Sequence, residues 1–145
     1  MEQHAKLFKT LSEVARLRIV NLLALRQLCV CDLQHLLAAS QPYVSRHLAF
    51  LRRVGLVGRV RRQGRELYAL NLTRATHPFI SLVNELAAWT PELQADRRKL
   101  AQMEIAGALR ADGSKLQSEE PSRASEAGGR EKPDEFASGM VRQAA

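Results

Sequence analysis

The stretch SQPYVSRHLAFLRRVGLVGRVRRQGRELYALN, residues 40–71, reads as a helix, a stop and a hairpin in succession. Ser40 stands where an N-cap belongs, and Pro42 fits a first turn whose N–H groups have no intrahelical partner. Val44, Leu48 and Leu51 recur at i, i+4 and i+7 and predict the inward face. Gly55 suits the left-handed residue that stops a helix. Beyond it, Leu56, Val57 and Val60 lead into Arg62-Gln63-Gly64, and Leu67, Tyr68 and Leu70 lead out. Two β-prone runs about a glycine-containing turn predict a hairpin, here with an almost wholly basic tip.

Upstream, LCVCDLQHLL (28–37) predicts a short helix over about 32–38 with Leu33, Leu36 and Leu37 inward, entered through an extended connection over 26–30. Before it, EVARLRIVNLLAL predicts a buried helix with a wide apolar stripe (Val14, Leu17, Ile19, Val20, Leu22, Leu23), capped by Ser12 and ending near Leu25. Ala5, Phe8 and Leu11 give a first helix by the same spacing. Downstream, Pro78 opens a helix with Phe79, Leu82, Val83 and Leu86 as its stripe, and Thr90-Pro91-Glu92 starts another that runs to about 109. From Ala111 the chain is rich in Ser, Gly and charge, too poor in large apolar groups to offset ordering entropy, and reads as a disordered tail. No internal repeat is visible. The expected class is mainly α with a β-hairpin, a winged helix-turn-helix. The expected divisions are a DNA-binding and dimerisation domain over 1–92, a helical extension over 93–110 and the tail over 111–145.

The 145 residues are 46% hydrophobic but only 5% aromatic, which suits a small helix-rich domain. No apolar run approaches the ~20 residues that span a bilayer, and MEQHAKLFKT lacks a signal-peptide layout. The expectation is a cytoplasmic protein, with no membrane partner, whose thiols stay reduced. Residues 1–110 hold 17 Lys/Arg against 8 Asp/Glu, so the positive charge lies in the folded part. Between Asp32 and Glu66 there is no acidic residue, yet seven arginines fall there. A basic block on a capped helix and a hairpin tip is the electrostatic footprint of a polyanion, and double-stranded DNA is the expected partner.

A recognition helix needs a capped N-terminus and polar side chains that reach base edges. Gln41, Tyr43, Ser45 and Arg46 meet that need, Gln and Arg having donor and acceptor geometry for adenine and guanine. His47 reads two ways, as a phosphate contact or as a histidine packed between helices. Arg61, Arg62 and Arg65 at the hairpin tip suit phosphates or the adjacent minor groove. A three-helix bundle with an incidental basic hairpin is the plainer alternative.

Cys29 and Cys31 are the only cysteines, too close for an unstrained disulfide. Thiolates select soft metals and metalloids. In an extended segment residues i and i+2 share a face, whereas in a helix they do not. With Cys31 as N-cap and Gln34 reaching back to its N–H as in a capping box, both sulfurs are expected together beside the positive helix end, where thiolate forms more readily. The plain alternative is two small buried hydrophobes. A thiol enzyme is the weaker reading: there is no Cys-x-x-Cys near a βαβ pattern, no glycine-rich phosphate loop and no Ser/His/Asp arrangement. No cofactor is required by the reading. A structural zinc site usually needs four Cys/His ligands, and the histidines (His4, His35, His47, His77) are scattered.

LFKTLSEVARLRIVNLLA, CVCDL and SQPYVSRHLAFLRRVGLV with its basic hairpin resemble the ArsR/SmtB repressors over about residues 3–90, CVCDL and SQPxxSRHLAxLRxxGL being close to the arsenic-responsive members. The resemblance implies a homodimer, held by the first helix and the helix after the hairpin, that binds an inverted-repeat operator and is released by a soft metal or metalloid at Cys29 and Cys31. The arsenic-responsive pattern usually reads CVCDLC, and here Gln34 stands at the third cysteine. The implied inducer is arsenite or antimonite with an outside third ligand, or a methylated trivalent arsenical that needs only two sulfurs. The zinc-responsive members carry paired Asp/His ligands along the dimer helix, of which this chain has only His77 near the start. A thiol-redox-responsive repressor of the same fold is the alternative function.

Overall fold

A computed structural model describes residues 1–109. The tail expected from Ala111 lies outside the described residues. The order is α1 (Glu2–Leu11), α2 (Val14–Leu23), α3 (Val30–Leu37), α4 (Gln41–Arg53), β1 (Val57–Arg62), β2 (Arg65–Leu70), α5 (His77–Trp89) and α6 (Pro91–Ile105). No described helix is long and apolar enough to cross a membrane.

One core joins the helices. Ile19, Val20 and Leu22 of α2 meet Leu33 and Leu36 of α3, Val44, Leu48 and Leu51 of α4, and Val83 of α5. The exit of α4 follows from Gly55, whose φ of +81° lets the chain reverse. There the Leu56 N–H donates to the Leu51 carbonyl and the Gly55 N–H to that of Arg52, both at 3.0 Å, the Schellman pattern. β1 and β2 pair antiparallel from Val57↔Leu70 to Arg62↔Arg65. Gln63 (φ +49°) and Gly64 (φ +76°) form the two-residue turn, the backbone of a tight hairpin. The connection before α3 is pinned to this ribbon. The Leu28 N–H donates to the Tyr68 carbonyl at 3.1 Å, and the Tyr68 N–H returns to Leu28 at 2.8 Å.

Several sequence expectations need correction. α1 buries Leu7 and Thr10, whereas Phe8 is 58% exposed and Ala5 is exposed. Phe8 sits edge-on to Phe79 of α5 at 4.8 Å, while Leu11 packs half-buried against the core. Ser12 does not cap α2: it closes α1, its hydroxyl donating to the Lys9 carbonyl at 2.7 Å, and Glu13 is the N-cap. The α5 stripe splits. Phe79, Ile80, Val83 and Ala87 face inward, while Leu82, Leu86 and Trp89 are exposed.

α6 seats Leu93, Leu100 and Met103 at helical spacing, and a set of polar contacts that apolar periodicity does not show is added to them. Asp96, 4% exposed, accepts Arg18 Nε at 2.8 Å and Nη2 at 2.7 Å. Fully buried Asn21 donates to the Leu93 carbonyl at 3.1 Å and accepts from Arg97 Nε at 2.6 Å. Arg26 pairs with Glu104. These contacts give partners to buried Asp96 and Asn21, whose desolvation would otherwise count against folding.

Candidate DNA interface and dithiol site

α4 starts on Ser40, whose hydroxyl accepts the Tyr43 N–H at 3.4 Å, with proline in the first turn. Val44, Leu48 and Leu51 bury one side. The other side exposes Gln41, Tyr43, Arg46, Phe50 and Arg53, with Ser45 and His47 half-buried. Gln41 Nε2 donates to Ser45 Oγ at 2.9 Å, which holds the amide one turn above the hydroxyl. The Tyr43 and His47 rings, at i and i+4, meet edge-on at 4.6 Å, and the Arg46 guanidinium lies 5.9 Å from the Tyr43 ring centre. The helix thus carries an ordered polar and aromatic face.

His47 is half-buried and packs beside Tyr43 of its own helix, leaving part of its ring in solvent. Burial, then the Arg16 charge, holds its pKa below the usual histidine value, and Glu13 opposes this in part. It is neutral at pH 7. Its folded pKa is depressed, so the stability it contributes is full above the unfolded value of about 6.5 and declines as pH falls below it. A polyanion beside it reverses the preference and favours the protonated ring. DNA affinity is therefore expected to rise as pH falls from 7.5 to 5.5, by at most about tenfold per pH unit for each proton taken up. His47→Gln is expected to flatten that slope, measured by fluorescence anisotropy of labelled operator; an unchanged slope would place His47 away from the DNA.

Arg16 of α2 adds a residue to the site. Its Nε donates to the Thr10 carbonyl at 2.6 Å, and its guanidinium lies 4.4 Å from the centre of the Phe50 ring on α4, with Arg53 on the same ring at 6.0 Å. A cation from α2 thereby joins the exposed face of α4. Only the packing of α2 across α4 places it there, and no local pattern announced it.

On the hairpin, Arg61, Arg62 and Arg65 are all exposed. Glu66 is engaged lower down, accepting from Tyr68 Oη at 2.9 Å and lying 3.5 Å from Arg59. Arg62 and Arg65 stand opposite one another in the register, and like charges directly opposite destabilise a ribbon.

The dithiol segment enters extended through Leu28 and Cys29 as expected, but the helix starts two residues earlier than expected. Cys29, not Cys31, is the N-cap of α3, with φ −84° and ψ 167°. Its Sγ accepts the Asp32 N–H at 3.4 Å, and its thiol donates to Asp32 Oδ2 at 3.1 Å. Asp32, at N3, is thus the partner of the capping side chain in both directions, the place expected of Gln34. Cys31 is already helical and exposed, whereas Cys29 is half-buried. The expected easy thiolate at Cys29 is also overturned. Burial, reinforced by the hydrogen bond to Asp32, pushes its pKa up to about 11, outweighing the helix end, so it is a thiol at neutral pH. Among the described residues no three His, Cys, Asp or Glu side chains converge on a common point fit for a metal. His35 is exposed, and His77 opens α5 without a metal-binding companion.

A reader helix reached through a short turn from its predecessor and followed by a basic two-stranded wing defines a winged helix-turn-helix regulator. Comparison with known proteins narrows the class. Residues 13–58 match the family described as "Bacterial regulatory protein, arsR family". The chain is 41% identical over 106 residues to the arsenical resistance operon repressor of Escherichia coli K12, covering 70% of this chain and 88% of that one. It is 43% identical over 95 residues to the arsenic resistance transcriptional regulator ArsR2 of Pseudomonas putida, covering 65% and 76%. Among solved structures, the transcriptional repressor BigR of Xylella fastidiosa superimposes with a TM-score of 0.51 at 33% identity, over 58% of this chain and 79% of that one. The chain belongs to the ArsR family of transcriptional repressors, which are regulators and not enzymes.

Proposed function

We propose that this chain is a cytoplasmic homodimeric repressor that grips operator DNA with α4 and the hairpin tip and lets go when Cys29 and Cys31 capture trivalent arsenic or antimony. The observation that carries this reading is the place of Cys29. On one side it adjoins Leu28, hydrogen-bonded to Tyr68 of the wing; on the other it caps α3, which packs on α4. A bond formed at that sulfur disturbs the cap, and both DNA-reading elements are one step away.

The chemistry balances without a redox partner. Arsenite is neutral As(OH)3 near pH 7. Each thiol replaces one hydroxyl: an As–O bond breaks, an As–S bond forms, and the thiol hydrogen leaves with the hydroxyl as water. A protonated Cys29 is no obstacle to such a condensation. Oxidation of the exposed Cys31 is the competing chemistry, and the titration below separates the two. Gln41, Tyr43, Ser45, Arg46 and His47 are the proposed groove contacts, and Arg61, Arg62 and Arg65 the proposed phosphate or minor-groove contacts. The exposed Leu82, Leu86 and Trp89, at i, i+4 and i+7 of α5, support the homodimer, since large apolar groups on one helix face find cover in a second copy.

The test is anisotropy of a labelled fragment from upstream of the protein's own gene, titrated with protein and then with arsenite, antimonite, zinc, cadmium or peroxide. Release by the metalloids at concentrations where zinc and peroxide leave the complex intact is expected; release by peroxide alone would favour the redox reading.

A further inference from the structure

The exposed side of Cys31 opens onto a groove of about 510 Å³ between α3 and the C-terminal end of α6. Cys31, Asp32, Gln34 and His35 form one wall, and Met103 and Ala108 the other. The α6 wall is fixed rather than loose. Met103 is 8% exposed and belongs to the core, and Lys99 Nζ reaches the His35 and Leu36 carbonyls of α3 at 3.4 Å. The Arg18–Asp96 and Arg26–Glu104 pairs hold the same helix down.

Trivalent arsenic makes three bonds, and Cys29 and Cys31 supply two. Gln34, one helical turn beyond Cys31, brings an amide to the groove, a poor partner for a thiophilic centre. No third His, Cys, Asp or Glu among the described residues completes a site. The described residues thus leave the third substituent to the inducer itself or to an outside ligand. The groove beside Cys31 is where it lies, and the far wall offers a thioether chain and a methyl group.

We propose that the α3–α6 groove receives the carbon substituent of a trivalent organoarsenical, RAs(OH)2, and that Met103 is the residue that sets this selectivity. The inference rests on Cys29 and Cys31 being the inducer site. Two As–O bonds break and two As–S bonds form, both hydroxyls leave as water with the thiol hydrogens, and the As–C bond and the oxidation state are untouched. An apolar R group then loses water contact against Met103 and Ala108, a gain that a hydroxyl on arsenite lacks.

Phenylarsine oxide, methylarsonous acid and arsenite are the probes, with operator release by the full chain and adduct mass by native mass spectrometry as the two readouts. Each preference is divided by the same ratio measured on a peptide of residues 26–34, which removes the intrinsic affinity of a Cys-x-Cys dithiol. Wild type is expected to prefer phenylarsine oxide over arsenite by about tenfold beyond the peptide, the scale of a small apolar group finding a fitting wall. Met103→Gln, of equal length but polar, is expected to erase that excess and move the arsenite midpoint by less than about twofold, while Met103→Leu keeps it. Ala108→Asp, at an exposed position on the rim, gives the same selective loss if Met103→Gln folds poorly. Equal excess in wild type and peptide, or a Met103→Gln shift shared by all probes, overturns the proposal. The underlying reading fails in a different way: no arsenical releases wild type, or release survives Cys29→Ser with Cys31→Ser.

Discussion

Replacing Cys29 and Cys31 together by serine is expected to leave the operator complex intact at arsenite concentrations that empty the wild-type protein. Serine is among the preferred N-caps, so position 29 keeps an acceptor for the Asp32 N–H and α3 keeps its start. Loss of fold is therefore not the cause of the change. What disappears is thiophilic bonding and with it the differential affinity for the DNA-free form, a coupling of typically about 1–3 kcal/mol, or roughly 5–150-fold in DNA affinity between arsenite-free and arsenite-loaded protein. Anisotropy with and without arsenite gives that ratio directly, and the double variant should show a ratio near unity. Cys29→Ala separates the two duties of this sulfur: it also removes the cap, at a cost of about 0.5–2 kcal/mol to the helix, which circular dichroism reads as a lower Tm. A double-serine variant that still releases DNA at wild-type arsenite concentrations would remove Cys29 and Cys31 from the sensing role.

α4 and the hairpin were legible because their signals are local. Ser40, Pro42 and Gly55 punctuate one helix, Val44, Leu48 and Leu51 set its phase, and Gly64 supplies the positive φ of the turn. The dithiol segment was legible as a feature but misplaced by two residues. Cysteine is not a usual cap, so Cys31 beside the acidic Asp32 looked like a helix start, while the structure uses Asp32 as the third residue of a helix that Cys29 opens. The helix α1 was legible from Ala5, Phe8 and Leu11, but of these only Leu11 packs on the core; Leu7 is buried instead, and so is Thr10, its hydroxyl donating to the Lys6 carbonyl at 2.7 Å. α5 carries apolar groups on two sides, and a periodicity count cannot divide a stripe between its own core and an outer face. The docking of α6 combines Leu93, Leu100 and Met103, legible as an apolar spacing, with Asp96, Asn21 and Arg97, whose pairing is set only in three dimensions. That docking is what encloses the groove beside Cys31, so the part of the candidate site least visible in sequence is the part that shapes it.

Changing Arg61, Arg62 and Arg65 together to alanine is expected to produce the other large effect, on DNA affinity and its dependence on salt. These side chains are exposed around a turn whose backbone is held by Gln63, Gly64 and the Val57–Leu70 ladder. Removing them leaves the ladder and core in place. Each phosphate a protein neutralises contributes about 0.9 to the slope of log affinity against log salt, so three lost contacts flatten it by up to about 2.7 per protomer. Between 50 and 200 mM salt, the affinity the wild-type protein loses through those contacts is about 40-fold per protomer, and the variant is spared it from a weaker starting point. Stability should move the other way. Arg62 and Arg65 face each other across the register, and relieving that repulsion is worth a few tenths of a kcal/mol, with about 0.2 as the lower bound for a cross-strand pair. A basic tip kept at a cost to its own ribbon is explained by an anion that occupies it in the working state. Weaker, less salt-sensitive DNA binding at an unchanged or slightly raised Tm separates this explanation from mere unfolding. An unchanged salt slope would mean that the wing tip touches no phosphate and that α4 binds the operator without it.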